Sequence, residues 1–483
     1  MSSKLRPAIL HRPTSVGLHR LGRIAGAVAS PPSLCAEIAG TGVASDYARR
    51  LLADLGVRVA LAPGPADRHP ALAWAESGAM ALTGRTDELP RVPSGALASC
   101  AAGVGRALAA LGVPAPADSA ALLGERAALF GLARAGRIAP GGATRLLRAA
   151  DGWAALALSR PDDRRALPAW LEADSHGESD WDFAEREVAR RPLAWLAERA
   201  RWLGVAFAPA APVPASAPRW VHATECGPRG DPTRRPPRVL DFSALWAGPL
   251  CAELLAGAGA DVIKIESAQR LDASRAQRAG APLFYDLLNA RKRSAVLDFR
   301  SARDADLLHA LVASADIVIE SARPRALAQL GIEAAAFVAA RAGRVWLSIT
   351  GYGRGDAPPG RVAFGDDAAV AAGAACAVAD RDGPLFCADA IADPLTGLHG
   401  ALAAWAAWRS GGGVLLDAAL CTVTAHALAF AATGACEVRG SAERASVVVA
   451  GAETLAAAPR ARSASGHARP PGADSESLRA ELC

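Results

Sequence analysis

Short apolar runs, broken every few residues by Gly, Pro or charge, set the texture of this chain, and from about residue 238 they alternate between two periods. "RVLDFSAL", "DVIKIE", "SAVLDF", "DIVIES" and "RVWLSIT" are β-rich runs of strand length, while "PLCAELLAGAG" and "ARDADLLHALVASA" space their apolar residues as helices do. Strands alternating with helices predict an α/β architecture with a parallel, Rossmann-like sheet. The stretch 207–237, "FAPAAPVPASAPRWVHATECGPRGDPTRRPP", is dense in proline and turn residues and reads as a linker between two halves. Ahead of it, residues 141–206 read as a small α+β domain. There the turn "ADGW" leads into a strand with two helices packed behind it, one of them the amphipathic "FAEREVARRPLAWLAERARWLGV".

The first half echoes the second. Set without gaps over "LCAELLAGAGADVIKIE", the segment "YARRLLADLGVRVALAP" aligns Leu51, Leu52, Ala53, Gly56 and Val59 with Leu254, Leu255, Ala256, Gly259 and Val262. Both copies read as helix, glycine-bearing turn and strand. A looser echo relates "ASCAAGVGRALAALG" to the small-residue helix at 396–409 and makes Ser99 the nearest counterpart of Asp393.

Composition narrows the class. The 483 residues suffice for roughly two to four domains. No apolar run approaches the roughly 18 residues of a membrane span, so a soluble protein without a membrane partner is expected. The net charge of +5 is spread along the chain and carried almost wholly by arginine, which argues against a nucleic-acid-binding arm and favours small anionic ligands. Lysine occurs only at positions 4, 264 and 292, two of the three close together. Nine scattered cysteines show no metal-ligand spacing, so no metal is expected and a reducing, cytoplasmic setting is. Residues 1–36 contain no acid, a composition that leaves organelle targeting open.

The candidate chemistry gathers in two places. In "LDFSALWAGPLCAELL" a turn at Trp246, Ala247, Gly248 and Pro249 opens a helix whose free N–H groups face the sheet edge. Lys264 and Glu266 close the next strand, and Asn289, Arg291, Lys292 and Arg293 crowd the turn before the one after, a cationic cluster suited to a phosphate-bearing cofactor. The second place is "IADPLTGLHG", where Asp393 reads either as a helix N-cap or as a reactive carboxylate at the positive end of a helix, with Gly397 and His399 beside it. A packing role suits His399 better than proton transfer. Asp366 and Asp367 in "AFGDDAAVAAG" either start a helix or stand beside Asp393.

Six blocks in order, "LDFSALWAGPLCAELLAGAGADVIKIE", "NARKRSAVLDF", "ADIVIESARPRALAQLGI", "RVWLSITGYG", "IADPLTGLHGALAA" and "GGGVLLDAAL", resemble the family III CoA-transferases, a family that includes formyl-CoA transferase, carnitine CoA-transferase and α-methylacyl-CoA racemase. The resemblance implies the family's fold, a Rossmann-like core with a smaller α+β domain. It implies acyl-CoA:carboxylate CoA transfer through an aspartyl covalent intermediate, with Asp393 as the catalytic residue; Asp366, Asp367, Gly397 and His399 are auxiliary candidates beside it. Coenzyme A enters as the thioester substrate, with no permanently bound cofactor. The residues that match the family's CoA site are Trp246 to Pro249, Lys264, Glu266, Asn289, Arg291 to Arg293 and Arg323. Trp246 stands where formyl-CoA transferase has glutamine, which disfavours a very small acid, and no histidine precedes Asp366 as in the racemase. Racemisation of an acyl-CoA and non-catalytic acyl-CoA binding are the alternatives.

Read this way the chain is a two-copy fusion. It comprises an N-terminal segment (1–36), a degenerate α/β copy (37–140), the small domain (141–206), the linker (207–237), a CoA-binding and catalytic α/β domain (238–430) and a C-terminal segment (431–483). Such a chain is either a monomer that imitates a dimer or a homodimer.

Overall fold

A computed structural model describes residues 34–231, 235–275, 281–321, 325–355 and 361–482. In chain order, β1 (Cys35–Thr41) and β2 (Arg58–Ala66) make a two-stranded parallel sheet joined through the Val43–Asp54 helix. Strands β3 (Thr144–Ala149), β4 (Gly152–Ala157) and β5 (Ala206–Pro209) form an antiparallel sheet. The large sheet contains β6 (His222–Glu225), β7 (Arg238–Phe242), β8 (Asp261–Ser267), β9 (Arg293–Leu297), β10 (Ile317–Glu320), β11 (Val345–Thr350) and β12 (Val414–Ala419). Its order is β6-β12-β11-β10-β7-β8-β9, parallel throughout except for β6 at one edge. This is the expected α/β core. A third antiparallel sheet, β13 (Glu437–Gly440), β14 (Ala445–Val449) and β15 (Ala452–Leu455), follows.

Central strands of the large sheet are buried on both faces, which is why β10 reads as the unbroken apolar run Ile317–Val318–Ile319. The structure adds detail at 207–237 and differs from expectation at 183–205. Part of the proline-rich stretch 207–237 is woven into sheets, since β5 runs to Pro209 and β6 pairs with β12. Pro209 is tolerated because β5 lies at a sheet edge. The single amphipathic helix expected at 183–205 is two, Asp180–Val188 and Leu193–Leu203, because Pro192 lacks the N–H that would continue the first. With Pro161–Leu171, three helices rather than two pack on β3–β5 around Trp170, Phe183 and Leu196.

The echo between the halves has a geometric counterpart. In β1–β2 Cys35 lies opposite Arg58, and in β7–β8 Arg238 lies opposite Asp261; one offset, that of Leu51 to Leu254, carries the first pair onto the second. The same offset matches Gly42 with Leu245, both at positive φ (113° and 70°) just before their helices. One apolar cluster contains both units, running from Leu51 and Leu52 through Val104 to Leu250, Leu398 and Leu402. The two halves share a core. No helix among the described residues is long and apolar enough to cross a membrane.

Candidate active site

Asp393 is the second residue of the Ala392–Arg409 helix, one of the longest in the fold. It is not the N-cap: Ile391 holds that position, and the side chain of Asp393 is free to point elsewhere. It accepts a hydrogen bond from the amide of Ala247, the first residue of the Ala247–Gly257 helix. The carboxylate therefore sits against two helix N-termini, its own and that of a neighbour, both of which favour negative charge.

Two glycines make this approach geometrically available. A methyl group on Gly397 would stand 2.8 Å from the Ala247 carbonyl oxygen and 2.9 Å from Leu250 Cδ2, so only glycine lets the two helices close at that point. A methyl on Gly365 would collide with Asp393 Oδ2 and stand 2.7 Å from the Ala390 carbonyl oxygen. Gly365→Ala should displace the carboxylate and lower any reaction that uses it by about 100-fold, the scale of a misplacement of about 1 Å. Steady-state kinetics beside a melting curve would separate that loss from unfolding.

The run into the helix is strained. Ala388 and Ala390 adopt φ of 57° and 42°, in the left-handed region disfavoured for residues with a Cβ. This double kink turns Asp389, fully buried, toward Arg126, whose Nε and Nη2 donate to it at 2.8 and 2.5 Å. The guanidinium also stands 5.2 Å from the centre of the Trp246 ring. Asp366 Oδ1 accepts from the Ala390 amide (2.9 Å) and Oδ2 from Thr144 Oγ1 (3.1 Å). Three carboxylates thus surround one arginine.

Burial pushes Asp393 up to about 7, with Asp366 and Asp389 adding to the shift and Arg126 and the Ala247 amide opposing it. Asp366 is pushed up to about 6 by burial and by Asp389. Asp393 differs from Asp366, Asp367 and Asp389 in keeping partial exposure. It is the accessible member of a buried acidic group.

The other sequence-based candidates fall as follows. Asp367 accepts from the Phe364 amide (2.7 Å) and from Tyr352 Oη (3.4 Å), starting its helix, while burial pushes it up to about 8. Of the adjacent pair, Asp366 is the one turned to the site. His399 donates Nδ1–H to the Leu395 carbonyl (2.7 Å), so Nε2 accepts from Tyr47 Oη (2.7 Å); burial drives it down to about 3 and keeps it neutral. It ties the helix to the N-terminal half and packs between Tyr47 and Trp220.

The cationic cluster differs most from expectation. Lys264 and Lys292 are almost completely buried. Lys264 Nζ donates to the Ser243 carbonyl (2.9 Å) and pairs with Asp272 (3.1 Å); Lys292 Nζ donates to the Pro249 carbonyl (2.9 Å) and pairs with Asp241 (2.8 Å). Burial works against the charge on Asp241, yet Lys292 and Lys264 hold it below the usual carboxylate range. Both lysines grip the Ser243–Pro249 turn that presents the Ala247 amide. Glu266 pairs with Arg275 (2.5 Å), Arg291 with Glu253 (2.5 Å) and Arg293 with Glu481 (2.8 Å). Arg291 alone of this group is about half exposed. Asn289 is buried, its Nδ2 on the Tyr285 carbonyl (3.0 Å), its Oδ1 without a partner among the described residues. Gly248 and Pro249 lie buried in the first turn of the Ala247–Gly257 helix. Arg323 lies outside the described residues.

Arg126 and Asp389 were missed by the sequence reading. Asp389 carried a faint signal, a second acid four residues before Asp393, but Arg126 is 263 residues from its partner and only folding joins them.

Residues 237–460 match the family model described as CoA-transferase family III. A formyl-CoA:oxalate CoA-transferase of Rhodopseudomonas palustris (strain BisB18) is 36% identical over 170 residues, 34% of this chain and 40% of the relative. One from Afipia carboxidovorans is 35% identical with the same coverage. The chain thus spans about two-fifths of the length of these curated relatives. Among solved structures, a CAIB/BAIF family protein from Brucella suis shares 29% identity over 40% of this chain and 54% of its own, with a TM-score of 0.36. A hypothetical protein from Mycobacterium tuberculosis shares 26% over 39% and 55%, with a TM-score of 0.35. Residues 237–460 are thus similar in sequence to CoA-transferase family III.

Proposed function

We propose that the chain transfers coenzyme A from an acyl-CoA thioester to a carboxylic acid, with Asp393 as the covalent nucleophile. The observation that carries this reading is the half-buried Asp393 carboxylate, held on the Ala247 amide at the mouth of two helices and set apart by its exposure from the acids around it. One carboxylate oxygen attacks the thioester carbonyl; the C–S bond breaks and the CoA thiolate leaves, giving an acyl-aspartyl anhydride. The thiolate then attacks the aspartyl carbonyl, releasing the donor acid and leaving an aspartyl-CoA thioester. The acceptor carboxylate attacks that thioester, and the returning thiolate takes the acceptor acyl group and frees Asp393. Thioester bonds are conserved through the cycle, so no nucleotide is consumed.

The Ala247 amide and the helix N-terminus beneath Asp393 offer hydrogen-bond donors to the developing oxyanion. Relatives bearing the name formyl-CoA:oxalate CoA-transferase support the reaction class. Trp246, buried at the turn, stands where formyl-CoA transferase has glutamine, which disfavours a very small acid. The N-terminal half acts in this reading as a degenerate copy that supplies structure, with Ser99 opposite Asp393 in place of an acid. One site per chain and a cytoplasmic setting complete it.

Incubation with a panel of CoA thioesters, followed by hydroxylamine, should leave a hydroxamate on Asp393 detectable by peptide mass spectrometry. Turnover with no adduct there would overturn the assignment. Solvent deuterium at the α carbon in the absence of an acceptor acid would point to racemisation instead. Because the nucleophile must be ionised and burial raises Asp393 to about 7, the exchange rate should climb as pH rises through about 7.

A further inference from the structure

Arg126 is supplied by the short Glu125–Phe130 helix, far outside the residues that match the family model. The helix is fixed from behind: Glu125, fully buried, takes Arg462 Nε at 2.6 Å and Nη2 at 2.8 Å, so the C-terminal segment pins the turn from which Arg126 projects. Gly141 leaves room for the guanidinium, since a methyl there would stand 3.2 Å from Arg126 Nη2.

Two contacts of Arg126 reach the two turns that adjoin Asp393. One is the two-pronged grip on Asp389, between the kinked residues Ala388 and Ala390 that lead into the Asp393 helix. The other is the face of Trp246, whose following amide binds the Asp393 carboxylate. A planar fork with a charged face can make both contacts at once, which a lysine cannot.

We propose that Arg126 is the positioning residue for Asp393: reaching in from the N-terminal half, it locks the turn before Asp393 and the turn opposite it, and balances the surrounding negative charge. This rests on the reading of Asp393 as the reacting carboxylate. The groups that face Asp393 are few. Asp389 comes from the preceding turn, Asp366 from the Gly365–Ala371 helix, the Ala247 amide from the helix opposite, and Arg126 from the N-terminal half. Asp367 is turned to Phe364 and Tyr352, and Glu125 is matched by Arg462. Among the described residues, Arg126 is the cation of this set.

The test reads Asp393 directly and requires no substrate. Carbodiimide with glycinamide labels carboxyl groups that still hold a proton, and peptide mass spectrometry follows Asp393 against pH, with the exposed Asp162 as internal reference. In Arg126→Gln the Asp393 inflection should move up by about one to two pH units, the effect of losing a nearby opposite charge. In Arg126→Lys it should move less, and in Asp389→Asn it should move down, since a like charge is lost. A structural role alone predicts no such opposed shifts. If the Arg126→Gln inflection coincides with that of the parent, or Asp389→Asn moves it upward, the proposal falls. Should Arg126→Gln fail to fold, the Arg126→Lys and Asp389→Asn pair decides. Failure of Asp393 as nucleophile shows instead as an absent hydroxamate with these shifts intact, so the two ideas fail separately.

Discussion

Asp393→Asn should lower CoA transfer by roughly 10³-fold or more, the range seen when a covalent nucleophile is removed. Asparagine keeps the size of the side chain and retains an oxygen for the Ala247 amide, so the site geometry survives, but a carboxamide cannot form the anhydride. Stability should move the other way. In the unfolded chain Asp393 ionises near 4, whereas in the fold it holds its proton up to about 7. Its contribution is therefore complete below about 4 and is lost as pH rises through about 7, where the fold must carry a half-buried charge. At pH 8 the Asn variant should melt above the parent while being nearly inactive. A variant that loses activity and stability together, or that keeps full transfer, would contradict the role.

Lys292→Met should cost about 3–5 kcal/mol in urea unfolding, the usual result of stranding one member of a buried ion pair. Lys292 and Asp241 are both essentially inaccessible, and Asp241 would be left charged with only Lys264 to answer it. The double change Lys292→Met with Asp241→Asn should recover a large part of the loss. By contrast Arg300→Ala, which breaks an exposed pair with Asp298, should stay within about 1 kcal/mol. Activity should also fall in Lys292→Met beyond what unfolding explains, because the same ammonium holds the Pro249 carbonyl.

Much of this was legible in the chain. The β-rich runs at 238, 261, 293, 317 and 345 are strands of one sheet, and their β-branched and apolar content is visible without coordinates. Asp393 stood out as the carboxylate at the start of a helix in a family motif, and Gly397 lies where two helices close. The two neighbouring lysines stood out in the same way, and both turned out to be buried in ion pairs. Their spacing revealed a common purpose, but spacing carries no information on whether an ammonium faces solvent or the underside of a turn. Arg126 was invisible for a different reason: one of fifty scattered arginines gains meaning only when a kink at Ala388 and Ala390 turns Asp389 toward it.

The long separation between Arg126 and Asp389 also sets a schedule for synthesis. A ribosome adding 5–20 residues per second needs roughly 15–50 s to cover the 263 positions between them. For that interval the nascent N-terminal half carries an unanswered guanidinium and a bare Tyr47, whose partner His399 is later still. The early half must wait in a form that neither collapses around that charge nor sticks to its neighbours.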